Sequence, residues 1–231
     1  MAILDIEGDK KYTYNEKINF AVATYAHSKP KIDGIIGENE WTGTVLSMGM
    51  QNATILNKNE SFMGDEDLSA DIRLMWDEDH FYALFDITDD KFSQNFKDVE
   101  LWRGDSVQFG ITDPNSVYVT EFTETGAGLT ADGVDMWRWS STAANNDVWE
   151  GVEAEIVRRD DGHTIYELKI PWSGLIMKPE EIKDYYDLGF NIVLNDADGA
   201  ERKGIEELAW GIGIHKNSSE FTRLILEKPG Y

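Results

Sequence analysis

Short runs in which apolar and polar residues alternate are the feature that most constrains the fold of this chain. Residues 71–76 and 81–88 alternate on either side of an Asp-Glu-Asp turn, and residues 152–156 and 166–170 alternate on either side of an Asp-Asp-Gly turn. A period of two places every second side chain on the same face, which is typical of a strand that packs one face on a core. Each pair of runs therefore predicts a β-hairpin.

The remaining alternating runs extend this pattern along the chain. They lie at residues 107–111, 189–195 and 208–214, and the sequence lacks the regular alternation of strands with helices that a parallel sheet needs. Only residues 178–186, with Pro179 in the first turn and acids after it, favour a helix. About ten short strands and one short helix predict an all-β fold, an antiparallel β-sandwich of jelly-roll type.

The N-terminal residues differ in composition from the rest of the chain. Residues 1–28 begin with a charged and polar stretch and predict a linker or an added edge strand. Residues 29–231 are predicted to form one β-sandwich domain, which opens with a turn at Ile32-Asp33-Gly34. A chain of 231 residues with 41% hydrophobic content is long enough to bury a sizeable core.

Charge and cysteine content argue against several classes of function. The 44 acidic and 21 basic residues give a net charge of −23, and such a field repels the phosphates of nucleic acids and anionic lipid headgroups. The chain has no cysteine, which excludes disulfides, thiolate metal sites and cysteine nucleophiles. It has neither an apolar stretch long enough to span a bilayer nor an N-terminal signal core, so we expect a module excised from a longer chain.

Trp102 and Arg103 stand just before the strand predicted at residues 107–111. A flat ring at the rim of a sheet, beside fixed polar groups, suits the C–H face of a sugar ring. The sequence therefore predicts a ligand platform at Trp102, and the alternative is that this ring only plugs the end of the sheet. Residues 126–149 are rich in glycine and tryptophan and show neither period, which predicts a long functional or partner-facing loop.

Carboxylates cluster in the sequence near the same rim. Asp86, Asp89 and Asp90 end one predicted strand, and Asp105 precedes another. Oxygen ligands of this kind suit calcium, so the sequence predicts a calcium ion that fixes the loop under Trp102. The alternative is a solvated acidic rim without a metal.

The residues do not indicate catalysis. With 44 acids, pairs of carboxylates are too common to mark a glycosidase site. The four histidines share no metal-ligand spacing, and no Gly-x-Ser-x-Gly or phosphate-binding loop is present. We therefore predict a non-catalytic protein, with a lyase or hydrolase as a minor alternative.

Several stretches in this order resemble family 9 carbohydrate-binding modules, which are non-catalytic domains of xylanases and other secreted polysaccharide enzymes. The resemblance covers roughly residues 31–227. Its markers are Ile32-Asp33-Gly34 with Trp41, Leu74-Met75-Trp76-Asp77-Glu78, Trp102 with Asp105-Ser106-Val107, Gly189-Phe190-Asn191-Ile192 with Asn195-Asp196, and residues 221–226.

The resemblance implies a β-sandwich, bound calcium and a sugar held between two tryptophans, with polar side chains on its hydroxyl groups. Trp102 matches the first of these tryptophans, and His215 stands near the second. Gln108 and Asn195 match polar ligand residues, whereas Val193 stands where the family has a glutamine. Trp139, with Trp137 and Trp149, is expected to supply further aromatic surface. The metal ligands assigned are Asp89, Asp90 and Asp105.

The function that follows is binding of plant or cell-wall polysaccharide, such as xylan or cellulose, through an aromatic cleft. The module is expected to be secreted or at the cell surface and to target a covalently attached enzyme or surface protein to its substrate. The alternative is a structural or protein-docking β-sandwich that has lost sugar binding. A further alternative is a related sandwich that holds haem through Met and Lys ligands, which the seven methionines permit.

Overall fold

The computed structural model describes residues 2–4, 12–14, 20–55, 63–113, 121–141, 150–176, 178–199, 206–210 and 217–228. Strands dominate these residues, which confirms the all-β prediction. The strands are β1 (Ala2–Leu4), β2 (Tyr12–Tyr14), β3 (Phe20–Tyr25), β4 (Val45–Met48), β5 (Thr54–Ile55), β6 (Leu68–Trp76), β7 (His80–Asp89), β8 (Ser106–Thr112), β9 (Thr123–Thr130), β10 (Gly133–Ser140), β11 (Glu153–Arg158), β12 (His163–Pro171), β13 (Asp187–Asp196), β14 (Glu206–Trp210) and β15 (Thr222–Glu227). The 3-10 helices are Asp98–Arg103, Trp172–Gly174, Pro179–Glu181 and Ser218–Glu220.

One sheet of 13 strands contains every strand from β3 onward, and its main path is β10-β9-β8-β13-β15-β3-β6-β7-β12-β11. The two predicted hairpins, β6–β7 and β11–β12, are confirmed as antiparallel pairs. The prediction of purely antiparallel pairing is wrong at β3, which runs parallel to both β15 and β6. Because β3 lies inside the sheet, residues 20–25 of the expected N-terminal extension belong to its hydrogen-bonded network.

The two halves of the sheet face each other across the core. Phe81 on β7 lies 6.0 Å from Phe109 on β8 and 5.9 Å from Phe190 on β13, measured between ring centroids. These strands are well separated along the sheet, so the contacts show that it folds over onto itself. The two end strands of the path, β10 and β11, also come into contact, which brings the sheet close to a closed barrel.

The prediction of a long loop over residues 126–149 is wrong for the described part of this range, because β9 and β10 pair there as an antiparallel hairpin. The glycines that hide the strand period are needed for packing. A Cβ atom on Gly126 would lie 2.9 Å from Cζ3 of Trp139, and one on Gly128 would lie 2.9 Å from Cδ1 of Leu101. Residues 142–149, with Trp149, lie outside the described residues.

The helix predicted over residues 178–186 is present only as the 3-10 helix Pro179–Glu181. The chain then leaves the helix and makes a turn, in which the amide of Tyr186 donates to the carbonyl of Lys183 at 3.1 Å, and its backbone pairs with the last strand. The amide of Tyr185 donates to the carbonyl of Leu226 at 2.7 Å, and the amide of Leu226 donates to the carbonyl of Tyr186 at 2.9 Å. Tertiary pairing has overridden the local helical preference.

The segment between β3 and β4 covers part of the outer face of the sheet. Glu167 on β12 fixes it by accepting hydrogen bonds from the amides of Asp33 and Gly34, both at 2.8 Å, and from Nε1 of Trp41 at 3.0 Å. Trp41 packs there in a second apolar cluster outside the main core. No helix among the described residues combines the length and the apolar character needed to cross a membrane.

Candidate functional site

Trp102 lies on the 3-10 helix Asp98–Arg103, which we call the Trp102 turn. Its neighbour Leu101 is fully buried, whereas Trp102 keeps 38% of its surface exposed. A short helix that buries one side chain directs the next one away from the core. The indole is therefore accessible at the protein surface, as a platform for a ligand requires.

Two buried polar side chains hold the carbonyl groups of this turn. Gln94 donates from Nε2 to the carbonyl oxygens of Leu101 and Asp105, each at 3.0 Å. Ser106 Oγ lies 2.9 Å from the carbonyl oxygen of Gly104 and 3.2 Å from that of Leu101. These side chains add hydrogen bonds to buried backbone oxygens and hold the turn against the start of β8.

Gln108 on β8 and Asn195 on β13 lie together beneath this turn, and we call this pair the polar floor. Asn195 donates from Nδ2 to Gln108 Oε1 at 3.1 Å and to Ser106 Oγ at 3.0 Å. Both residues are buried, and Asn195 Oδ1 has no hydrogen-bond partner among the described residues. A buried acceptor without a partner is costly, so this pair is kept at some expense of stability.

Trp139 braces the Trp102 turn from the side of β10. Its Nε1 donates to the carbonyl oxygen of Val99 at 3.0 Å, and its ring lies over Gly126, the cross-strand neighbour of Gln108. The indole is half-buried, so part of its surface remains accessible. Trp139 therefore joins the turn to the floor made by Gln108, a contact that the sequence pattern did not reveal.

The remaining predicted ligand residues are placed less centrally or are not described. Arg103 is exposed, pairs with Glu100 at 2.6 Å and lies 4.4 Å over the ring of Phe96. Its side chain therefore stabilises the turn on which it lies. An exposed pair of this kind contributes about 0–1 kcal/mol. Val193 is buried beside Gln108 and offers no hydrogen-bonding side chain. His215 lies outside the described residues.

Two of the predicted metal ligands already bind protein donors. Asp89 accepts from the amide of Lys91 at 2.7 Å and pairs with Nη1 of Arg158 at 3.1 Å. Asp105 accepts from the amide of Ser93 and from that of Ala197 at 2.7 Å, so it ties the loop after β13 to the rim. Burial, and then the charge of Asp89, raises the pKa of Asp105 to about 9.

A different set of carboxylates converges near the predicted metal ligands. One oxygen each from Asp67, Asp196 and Asp198 lies within 4.8 Å of the others. Burial raises the pKa of Asp67, and the negative charges of Asp198 and Asp90 raise it further. Hard oxygen ligands that repel one another at this spacing fit calcium, which takes carboxylate oxygens at about 2.3–2.6 Å.

The sequence contained part of the signal for this cluster. Asp196 and Asp198 stand two residues apart at the end of β13, whereas Asp67 directly precedes β6, far away in the chain. Only the folded sheet brings them together. A second group, Asp77 with Asp79 and His80, also has converging ligand atoms. There Asp77 accepts from Tyr82, from Lys29 and from the amides of Asp79 and His80.

Solved structures share this fold. A family 9 carbohydrate-binding module from Caldicellulosiruptor kristjanssonii, in complex with glucose, has a TM-score of 0.66 and 16% identity, with 92% of this chain and 97% of that chain covered. A structure of such a module from the same organism, in complex with cellotriose, has a TM-score of 0.65 and 16% identity, with 92% and 95% covered. At this identity the likeness shows the fold.

Sequence comparison adds a curated relative and a family model. Exoglucanase XynX of Acetivibrio thermocellus is 25% identical over 185 residues, and the match spans 80% of this chain but only 15% of that relative. The model described as "Carbohydrate family 9 binding domain-like" matches residues 32–228, which is most of the chain. This confirms the resemblance found in the sequence: the chain belongs to the carbohydrate family 9 binding domain-like family.

Proposed function

We propose that this chain is a non-catalytic module that binds plant or cell-wall polysaccharide through a cleft at Trp102. The observation that carries the proposal is the exposed indole of Trp102, held by hydrogen bonds beside the buried pair Gln108 and Asn195. The ring offers a flat apolar surface to the C–H face of a sugar, and the hydrogen-bonded pair keeps the turn that carries this ring in position. We also propose that the nearly closed sheet is a jelly-roll β-sandwich.

The relatives support this proposal and suggest the class of ligand. The two similar structures hold glucose and cellotriose, so a β-linked glucan is the first ligand to test. The exoglucanase relative is far longer than the matched region. We infer that this module is joined to a secreted or surface-attached polysaccharide-active protein and holds it near its substrate.

Calcium is the second part of the proposal. Asp67, Asp196 and Asp198 would hold the ion, with Asp90 close enough to affect the charge of Asp67. Asp196 directly follows Asn195 on β13, so an ion at this cluster would stiffen the strand end that carries the polar floor. The predicted ligands Asp89 and Asp105 would then act next to the ion, by fixing the loops that carry its ligands.

The test is calorimetry with cello-oligosaccharides and xylo-oligosaccharides, using the wild-type protein and Trp102→Ala. Loss of a stacked ring removes about 1.5–3 kcal/mol, so we expect the affinity to fall by roughly tenfold or more. Tyr185→Ala is the matched control, because it removes an aromatic side chain that is 71% exposed and lies outside the Trp102 turn. It should bind as wild type does. Equal binding by Trp102→Ala would place the site elsewhere. A wild-type protein that binds no glycan would favour the docking-module alternative.

A further inference from the structure

A groove of about 450 Å³ lies on the outer face of the sheet, across β4, β6, β7 and β12. None of the residues that line it belongs to the Trp102 turn, to β8 or to β13, so it is separate from the site described above. Its volume is in the range of small-molecule sites and far exceeds that of a single ion. The polar side chains that define it include Ser47, Asp65, Ser69, Asp71, Asp86 and His163.

The groove begins where the outer face of β7 changes from apolar to polar. Tyr82 and Leu84 lie in the apolar cluster beneath Trp41, whereas Asp86 and Thr88, the next residues on that face, line the groove. The same change occurs on β12, from Ile165 in the cluster to His163 in the groove. The covering segment has no apolar surface to bury beyond this point, and the face is left open.

Asp71 and Asp86 are directly opposite each other on β6 and β7. Like charges in directly opposed positions of an antiparallel pair destabilise the sheet. Asp71 accepts from Ser47 Oγ at 2.6 Å, and Asp86 Oδ1 lies 2.6 Å from His163 Nδ1. The second oxygen of each carboxylate has no hydrogen-bond partner among the residues that the structure describes. His163 faces Asp86 from one side, whereas Asp71 has no cationic partner among the described residues, so a ligand that supplies positive charge and donors would relieve this pair.

The lining favours a cationic ligand that also carries hydroxyl groups. It contains three carboxylates, and His163 is its only side chain that can be positive among the described residues. An ammonium group offers three donors and no acceptor, which suits the free oxygens of Asp71 and Asp86. Serine, threonine, asparagine and glutamine side chains of the groove suit hydroxyl groups. Met50, 54% exposed next to Gly49 of the lining, offers an adaptable apolar contact at the rim.

We propose that this groove is a second binding site, which takes an amino sugar with its protonated amine between Asp71 and Asp86. The proposal does not depend on sugar binding at Trp102. A neutral sugar whose nitrogen is acetylated lacks the ammonium and binds weakly. A diamine without hydroxyl groups satisfies the carboxylates alone and also binds weakly.

The test titrates the protein with the β-1,4-linked dimer of glucosamine and with its N,N′-diacetyl form, followed by calorimetry and by NMR of the His163 ring. We expect the amine form to bind at least tenfold more tightly, with shifts at His163. Asp86→Asn and Asp71→Asn should each lower the affinity for the amine form by about tenfold. Asp132→Asn removes an equal charge from a side chain that is 81% exposed outside the groove, and it should bind as wild type does. Repeating the titrations in the Trp102→Ala variant removes any binding at the Trp102 turn, and the preference for the amine form should persist there.

Three results would overturn the proposal. The first is equal affinity for the acetylated and the amine forms. The second is unchanged binding in both Asp86→Asn and Asp71→Asn, each shown by its melting curve to be folded. The third is an affinity for 1,4-diaminobutane as high as that for the dimer, since hydroxyl recognition would then be absent.

Discussion

Asn195 on β13 and Gln108 on β8 are diagonal neighbours across the strand pair, and the Nδ2 group of Asn195 donates to Oε1 of Gln108 at 3.1 Å. The same amide donates to Ser106 Oγ, which in turn lies 2.9 Å from the carbonyl oxygen of Gly104. A chain of hydrogen bonds thus connects the polar floor with the turn that carries Trp102. Sites built in this way on paired strands hold their groups in a fixed geometry.

Replacing Asn195 by Ala should weaken folding and ligand binding together. The change leaves the buried Oε1 of Gln108 without its donor, and the expected loss in unfolding free energy is about 1–3 kcal/mol. Urea denaturation measures this loss, and glycan titration measures the second effect. Asn95→Ala, which removes an exposed amide 3.3 Å from Ser93 Oγ, is the control and should change stability by less than about 0.5 kcal/mol. An equally small effect at Asn195 would contradict the connection.

Replacing Gly126 by Ala should displace Trp139 and loosen the Trp102 turn. The new Cβ atom would collide with the carbonyl oxygen of Val107 and would lie 2.9 Å from the Trp139 ring. Overpacking of this kind costs about 1–3 kcal/mol, which thermal unfolding detects. Faster hydrogen exchange in the Trp102 turn would report the loosening. Gly174→Ala is the control, because the nearest atom to its new Cβ atom would be 3.5 Å away.

Replacing Tyr82 by Phe should reduce stability more at neutral pH than in acid. Burial alone raises the pKa of Asp77, but hydrogen bonds from Tyr82, Lys29 and nearby amides outweigh it, so the pKa is lowered. A carboxyl group whose pKa is lowered in the folded protein stabilises the fold at pH values above its ordinary pKa of 3.8. This contribution is lost as the pH falls through the pKa that the group has in the folded protein. Tyr82 Oη donates to Asp77 at 2.7 Å, so Tyr82→Phe should lose about 1–3 kcal/mol at pH 7.

The loss in Tyr82→Phe should shrink as the pH is lowered past the pKa of Asp77 in the folded protein. Guanidinium denaturation at several pH values measures both effects. Tyr185→Phe, at a tyrosine that is 71% exposed, is the matched control and should match wild type throughout. A loss in Tyr82→Phe that is independent of pH would show that the hydroxyl does not stabilise the ionised carboxylate.

Adding calcium should raise the melting temperature, and Asp67→Asn should abolish the rise. At a concentration one hundred times the Kd, a bound ion adds about 2.7 kcal/mol, which corresponds to roughly 5–10 °C for a domain of this size. Scanning calorimetry with calcium and then with chelator measures the shift. Asp161→Asn, at an exposed carboxylate paired with Arg159, should retain the full response. An unchanged melting temperature in wild type would remove calcium from the proposal.

The alternation of apolar and polar residues predicted those strands that pair with their neighbours in the sequence. The β6–β7 and β11–β12 hairpins follow from alternation and turn residues, because neighbouring runs of the chain pair there. Hairpin β9–β10 was not predicted, because Gly126 and Gly128 have no side chains at positions where the alternation of apolar and polar residues would appear. The parallel pairing of β3 was also missed, since its partners lie far away in the sequence.

The same distinction applies to the sites. Trp102 was predicted because it precedes a clear strand, and Asn195 because it matches a motif. The convergence of Asp67 with Asp196 and Asp198, and the opposition of Asp71 and Asp86, depend on strand order and register. Neither quantity can be read from a single sequence with 44 acidic residues.

The position of β3 has a consequence for biosynthesis. Phe20–Tyr25 is synthesised long before one of its two neighbours in the sheet, Thr222–Glu227. Until that segment emerges, the nascent chain holds a strand with an open edge in the middle of its future sheet, where another polypeptide can pair. We expect emergence of Thr222–Glu227 to be the step that completes this sheet, and chains truncated before residue 222 to be prone to aggregation.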